Sequence, residues 1–520
     1  MYNGAEEVLN MSSKINAARY WLAAQVIGLL AITPMQQACK ASQPKVREAG
    51  VAGSFYPADP AALAAMMDGM LAGAGQPPIK DPILAVVAPH AGYQYSGPVA
   101  AYTYAALKGR KFSRVVVIAP SHYVAFDFTS VYEGDAYATP LGTVPVDKVF
   151  AHQLAKMSPS IRISGEGHDA TSAGAEHAIE VQLPWLQRVL GDFELVPIVM
   201  GDQSYESSRA LGLALANMIQ DKKWGGNTLI VASSDLSHYH TYDEAETMDH
   251  KTLGALAAWD YYSMSRNFFD TKIWEACGGA PIVAAMIAAE RMGANQAQVL
   301  KYANSGDTSG DRSRVVGYSA DVFVKAPTGK AVETPFSLSD RDKNELLALA
   351  RKSVEQAVEQ RKQYEPGATA SEALNQDRGA FVTLTEAGVL RGCIGYTSAT
   401  KPLYLTVRDT ATLAALRDPR FPPVSASELP LLEYEISVLS PLRRVMDIQQ
   451  IQIGRDGLLM KNGDHEGLFL PQVPVEQKWG LQKYLQELCV EKANMPSNCW
   501  QDPNTDIFRF TAVVFGEPKP

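Results

Sequence analysis

The chain has 520 residues, 46% hydrophobic and 20% charged, with a formal net charge of -9. That length favours two domains or more, and each half can bury a sizeable core. The acidic balance and the lack of a basic stripe argue against nucleic acid as the main ligand. The five cysteines, Cys39, Cys277, Cys393, Cys489 and Cys499, form no CxxC pair and lack the spacing of a disulfide-rich secreted scaffold. A structural zinc ribbon is therefore not expected.

Lys14 and Arg19 precede an apolar stretch, Trp21 to Ile32, that is followed by Pro34 and Cys39. A basic start, a short apolar middle and a small-residue end describe a signal peptide, and the stretch is too short to cross a bilayer comfortably. Residues 1–45 are expected to be a signal or anchor segment that exports or tethers the chain. An amphipathic helix on a cytoplasmic protein is the competing reading.

From Val46 to Lys325 strand-like runs alternate with helical patterns. The strand candidates are Ile83–His90, Val115–His122, Phe193–Val199, Leu229–His238 and Arg314–Val324. The helix candidates are Ala61–Leu71, Val99–Leu107, Ser208–Ile219 and Pro281–Arg291. This alternation predicts an α/β domain over 46–325 with a mostly parallel central sheet. The Pro-, Thr- and Ser-rich segment 326–340 reads as a linker. A helix is predicted from Asp340, with Leu346, Leu347, Ala350, Val354 and Val358 at helical spacing. Strand-like pieces follow at Gly379–Thr385, Tyr434–Leu439 and Phe508–Phe515, giving an α+β domain over 341–518.

Three of the strand runs end on a histidine: ILAVVAPH on His90, VVVIAPSH on His122 and LIVASSDLSH on His238. Short β-branched runs buried on both faces belong to parallel sheets, and ligands collect beyond the carboxyl ends of such strands. The runs therefore bring three of nine histidines to one sheet edge, which suits a metal or catalytic centre. Gly92 and Gly97 near His90 allow close backbone approach, and Tyr93 and Tyr95 are placed to donate hydrogen bonds there. Glu176, His177 and Glu180 form an acid–imidazole cluster on the first turns of a helix. Cys277 stands just ahead of a helix opening on Gly-Gly-Ala-Pro281, where the dipole should lower its thiol pKa. A non-haem iron centre needs about three protein ligands and open positions, and two histidines with an anionic third ligand supply them. On chemistry alone Cys277, Glu176, Glu180 and Asp235 all qualify as the third ligand, and zinc is as legal as iron. His152, His168, His250 and His465 follow no strand end and read as surface residues.

The pieces APHAGYQYSG, APSHY, Tyr137–Leu141, AEHAIEVQLPW, VASSDLSHY and ACGGAPI, in that order, resemble the Memo family. The resemblance implies a fold like the class III extradiol dioxygenases and a metal bound by His90, His122 and Cys277. It places Asp235, His238 and His177 around the pocket, with His238 or His177 as acid/base. It implies iron or copper, zinc being less favoured, and a small aromatic or peptide substrate. Cysteine in place of the dioxygenases' carboxylate makes ordinary ring cleavage doubtful. LRGCIG (Leu390–Gly395), LRDPRFPPVSASELP and EGLFLPQVPVEQKW resemble an AMMECR-type domain, in which Arg391 offers an anion contact and Cys393 a catalytic or, preferred here, structural or ligand-binding role. The fusion resembles the AmmeMemoRadiSam system and implies a separate radical S-adenosylmethionine protein as partner, since no CxxxCxxC motif occurs here. The rival functions are a non-catalytic peptide- or partner-binding module and a zinc hydrolase with Glu176 as base.

Overall fold

The computed structural model describes residues 44–171, 174–224, 227–327 and 336–517. The expected signal segment and most of the expected linker lie outside these residues. Among the described residues no helix is long and apolar enough to cross a membrane. The described residues form one compact unit.

Among the described residues the first region contains twelve strands in chain order: β1 (Val46–Arg47), β2 (Ile83–Ala88), β3 (Arg114–Pro120), β4 (Thr129–Tyr132), β5 (Ala136–Thr139), β6 (Gly142–Pro145), β7 (Ile161–Ser164), β8 (Glu194–Met200), β9 (Thr228–Ser233), β10 (His238–His240), β11 (Gln296–Asn304) and β12 (Val315–Val324). Nine of them form one sheet in the order β10-β12-β2-β9-β3-β8-β4-β7, with β11 also on β12. The middle strands β2, β9, β3 and β8 all run parallel, and antiparallel pairs flank them. This is the α/β layout expected, and its strand chemistry explains it. Alternate residues of β2, β3, β8 and β9 feed two separate cores. Val87, Ile118, Ile198 and Ile230 pack toward helices Tyr205–Gln220 and Gly279–Arg291. Val86, Val117, Leu195 and Val231 pack toward helices Pro60–Ala74 and Tyr93–Leu107. A strand with both faces covered has no polar side to alternate with, hence the unbroken apolar runs.

The second region contains β13 (Ala380–Glu386), β14 (Val389–Tyr396), β15 (Leu432–Leu439), β16 (Arg443–Arg444), β17 (Gly457–Asn462), β18 (His465–Phe469), β19 (Asp506–Phe510) and β20 (Ala512–Gly516). They form two four-stranded antiparallel sheets, β14-β13-β15-β20 and β16-β19-β17-β18. The run Phe508–Phe515, expected as one strand, is two. The chain changes sheets at Thr511, whose N–H donates to Ser440 Oγ at 2.9 Å. The predicted helix from Asp340 runs to Gln360, opened by Ser339, whose hydroxyl accepts from the Asp342 N–H. Cys489 and Cys499 form a disulfide, a pairing that the sequence spacing did not announce.

The LRGCIG segment lies on β14. A Cβ at Gly392 would fall 2.2 Å from the Ala414 carbonyl, so this strand packs against helix Leu403–Leu416 only as glycine. Arg391 is ion-paired: its Nε donates to Glu428 at 2.6 Å. Cys393 is partly buried, accepts from Thr383 Oγ1 at 3.3 Å, and is held by its N–H donating to Asp418. Burial pushes its thiol pKa up, and these contacts are those of a structural residue.

The two regions share a core. Leu439, Leu442, Phe508 and Phe510 pack in one cluster with Tyr205, Tyr261 and Tyr262. Asp506 accepts from Arg209, from Arg444 and from Tyr205, tying both regions together.

Candidate metal centre

His90, His122 and Asp235 each stand two residues beyond the ends of β2, β3 and β9. Because β9 lies between β2 and β3, these residues meet at one point of the carboxyl edge. The strand expected to reach His238 stops at Ser233; His238 opens a separate strand, β10, against β12. Cys277 arrives from the opposite layer, in the turn before helix Gly279–Arg291. A Cβ at Gly278 would lie 2.3 Å from the Ser233 carbonyl, so glycine there lets the cysteine turn sit on the end of β9.

The ligand atoms of His90, His122 and Cys277 all lie within 4.8 Å of one another. Cys277 Sγ is 3.0 Å from His90 Nε2. The ring of His177 stacks on that of His122 with centroids 4.7 Å apart, and His122, Glu176 and His177 make a second, overlapping cluster. His238 makes no contact with this trio: its Nδ1 lies 2.8 Å from the Leu236 carbonyl and its N–H donates to Glu275.

Each metal-facing imidazole is held from behind. Ser233 Oγ gives its proton to the Ala178 carbonyl at 2.6 Å, so it must accept from His90 Nδ1 at 2.9 Å. Gln182 Nε2 also donates to this hydroxyl at 2.8 Å. The His90 proton is thereby fixed on Nδ1, and the Nε2 lone pair faces Cys277. His122 Nδ1 meets Glu176 Oε1 at 3.0 Å, which fixes the same tautomer. These acceptors behind imidazoles are the arrangement that orients histidine ligands in metal sites.

Glu176 is buried, and burial alone would raise its pKa. Its hydrogen bonds with the His122 ring and with the N–H groups of His122 and Ala178 outweigh this and hold it at about 2. That carboxylate, spent on His122, His177 and Ala178, is not placed as a hydrolytic base. It also does not lie on a regular helix, because the helical turn begins only at Glu180. Glu180 is fully buried and committed to Arg47, to the N–H groups of Gly50 and Val51, and to Tyr56, away from the trio. Asp235 Oδ1 accepts from the His90 N–H at 2.7 Å, and its own N–H donates to Cys277 Sγ at 3.3 Å. It therefore positions two members of the trio.

Burial lowers the His90 pKa well below its ordinary value, and lowers that of His177 to about 4. Burial also lowers His122, but the Glu176 carboxylate more than offsets it and leaves a net rise. The Cys277 pKa is raised, not lowered, chiefly by burial and then by Asp235. Desolvation of a thiolate at this position exceeds what a helix terminus supplies; a bound cation would reverse the balance.

The donor set fits a metal: two imidazoles with their second nitrogens tied down, and one sulfur. His177 Nδ1 is buried without a hydrogen-bond partner, 3.7 Å from Glu176 Oε1. Tyr93 does not reach this space, since its hydroxyl donates to the Val181 carbonyl at 2.6 Å; Tyr95 is exposed. Phe55 and Tyr123 do line the approach, with ring centroids 4.7 and 6.2 Å from His177. Sequence reasoning passed over Ser233, Gln182 and Phe55. Only the serine carried a signal, as the first residue of the SSDLSH turn. Glu176→Gln is expected to weaken metal binding about 10–100-fold, because an amide offers His122 a poorer acceptor; a competitive chelator titration reads this directly.

A Memo-like protein family model matches residues 47–322, and an AMMECR1 model matches residues 347–515. A MEMO1 family protein of Methanopyrus kandleri is 38% identical over 288 residues, covering 53% of this chain and 98% of its own length. One of Methanothermobacter thermautotrophicus is 36% identical over 281 residues, covering 53% and 99%. Among solved structures, that of an uncharacterized protein from Pyrococcus horikoshii shares 39% identity, with 34% of this chain and 91% of that chain covered and a TM-score of 0.33. The chain belongs to the Memo family and carries an AMMECR1 domain behind its Memo domain.

Proposed function

We propose that this chain is a metal-dependent redox protein, dioxygenase-like in its site, that holds iron, or copper in its place, on His90, His122 and Cys277. The observation carrying this reading is the convergence of those three ligand atoms within 4.8 Å, with each imidazole backed by its own acceptor. A bound metal would supply a redox-active Lewis-acid centre with open positions. The residues around it do the rest. Ser233 and Glu176 keep both imidazoles in the ligating tautomer. Asp235 fixes the backbone of His90 and the sulfur of Cys277. His177, neutral at pH 7 with its pKa lowered to about 4, accepts or returns a proton on bound substrate. His238 stands further out as the alternative acid/base. Phe55 and Tyr123 give the crevice aromatic walls suited to a small aromatic compound or a peptide side chain. The AMMECR1 domain and the absence of an iron–sulfur motif agree with a separate radical S-adenosylmethionine partner.

Elemental analysis of anaerobically purified protein tests the core of this reading. Near-stoichiometric iron or copper is expected in the wild type, with most of it lost in His122→Ala and in Cys277→Ser. Full retention in both variants would overturn the ligand set. A folded wild type without metal would favour a binding module, and stoichiometric zinc with hydrolytic turnover would favour a hydrolase.

A further inference from the structure

The segment LRDPRFPPV of the AMMECR1 domain serves two places in the fold. Asp418 and Arg420 hold β14: the carboxylate accepts from the Cys393 N–H at 2.8 Å, and the guanidinium donates to the Cys393 carbonyl at 3.2 Å. Arg417, Pro423 and Val424 instead line a groove of about 650 Å³. The groove lies where two helices end together, Asp340–Gln360 at Val358 and Leu403–Leu416 at Leu413 and Leu416. The Val424 N–H donates to the Ala415 carbonyl at 2.8 Å, which folds the chain back against the second helix and closes the groove on that side. Val358, Leu416 and Val424 also belong to the domain core, so the floor is fixed by packing. Apart from Tyr396 the apolar floor is aliphatic. It offers a surface for a hydrocarbon chain rather than the aromatic platform on which a base stacks.

The rim is cationic. Arg361, Lys362 and Arg417 line it, all three are exposed, and among the described residues none has a carboxylate partner. The acid in the wall, Asp409, is already matched: it accepts from Lys401 Nζ at 2.7 Å, from Arg408 Nε at 2.8 Å and from Gln363 Nε2 at 2.8 Å. Arg408 is also paired with Glu365, so these two acids and two bases cancel. Cations are favoured beside helix C-termini, but each terminus carries only about half a negative charge. The two helix ends therefore account for roughly one of the three cations, and about two positive charges stay uncompensated above the apolar floor. In a chain of formal net charge -9 this is a local departure from the general surface.

We propose that this groove binds a single-chain amphiphile with a phosphate monoester head, its hydrocarbon chain on Val358, Leu416 and Val424 and its head among Arg361, Lys362 and Arg417. The match between the uncompensated charge and a phosphate dianion selects that head over a carboxylate, and arginine forks suit phosphate oxygens. The aliphatic floor selects a chain over a bare anion. This assignment is independent of the metal centre.

Isothermal titration of the full chain with decyl phosphate, kept below its micelle-forming concentration, tests this. Saturable binding at about 0.1 mM or tighter is expected. Decanoate, with a single charge on its head, should bind at least about threefold more weakly, and uncharged decanol about tenfold more weakly. Butyl phosphate should lose about a hundredfold, because it buries much less chain. A triple variant, Arg361→Gln with Lys362→Gln and Arg417→Gln, changes only exposed side chains and should bind decyl phosphate about tenfold more weakly. No saturable binding of decyl phosphate would overturn the proposal. Decanol or decanoate binding as tightly would overturn the phosphate head, and butyl phosphate or inorganic phosphate binding as tightly would overturn the role of the floor. Undiminished binding in the triple variant would show that the head is held elsewhere and overturn the site.

Discussion

Glu180→Ala is expected to destabilise the Memo domain by about 3–5 kcal/mol and to weaken metal binding as well. Glu180 is fully buried and paired with Arg47, whose side chain is only 4% exposed. The pair does more than cancel charge. The carboxylate gathers the N–H groups of Gly50 and Val51 and the Tyr56 hydroxyl. The guanidinium donates to Glu180, to the Glu176 carbonyl and to the His168 carbonyl. Removing either partner strands a buried charge and several buried polar groups at once, which is why the expected cost far exceeds that of a surface ion pair. The metal follows because Glu176, whose backbone Arg47 holds, is the residue that orients His122. Urea unfolding followed by hydrogen exchange in the Memo domain, with a chelator titration alongside, checks both parts. A paired change, Arg47→Met with Glu180→Leu, should recover only the part owed to the unpaired charge, because the N–H groups of Gly50 and Val51, the Tyr56 hydroxyl and the carbonyls of Glu176 and His168 still lose their partners. A loss below about 1 kcal/mol in Glu180→Ala would show the pair to be dispensable.

The strand ends and their histidines were legible in the sequence because their physics is local. A buried parallel strand is an apolar run with a polar stop, so Ile83–Ala88 and Arg114–Pro120 appeared within two residues of their bounds, whereas the run ending Thr228–Ser233 was carried five residues too far, to His238. Cys277 was legible as chemistry because Gly-Gly-Ala-Pro marks a helix start. Its electrostatics were not, because the burial that raises its pKa comes from β9 and His90, far away in the chain. The same holds for Glu180 and His168. A glutamate beside an apolar helix reads as solvated, and nothing local reveals that Arg47, more than a hundred residues earlier, is folded over it. The change of sheet at Thr511 was hidden for a different reason: both sides of the break are strand-like, and only pairing partners separate them.

His168 contradicts the surface role that its polar neighbours implied, and its burial has a measurable consequence. It is 1% exposed, with Nε2 3.1 Å from the Ser130 carbonyl and Nδ1 2.7 Å from the Tyr137 hydroxyl. A carbonyl only accepts, so Nε2 carries the proton and Nδ1 takes the Tyr137 proton; the neutral ring is fully satisfied. Burial lowers the pKa to about 3, and the nearby Arg47 and Lys45 assist. The unfolded chain, with an ordinary value near 6.5, therefore takes up a proton that the folded chain refuses. Stability is fully present above about pH 6.5 and falls as pH drops toward 3, by about 1.4 kcal/mol per unit and about 2 kcal/mol by pH 5 from this residue alone. His90 and His177 push in the same direction, so total acid sensitivity does not identify the source. The difference between wild type and His168→Gln does, because those histidines titrate in both proteins and cancel. The variant should start less stable at pH 7, since glutamine cannot reproduce both hydrogen bonds, yet lose less on acidification, and its urea midpoints from pH 7 to 4.5 should converge on those of wild type. Parallel curves would mean that His168 titrates alike in the folded and unfolded chains and that its burial is not what makes the domain acid-sensitive.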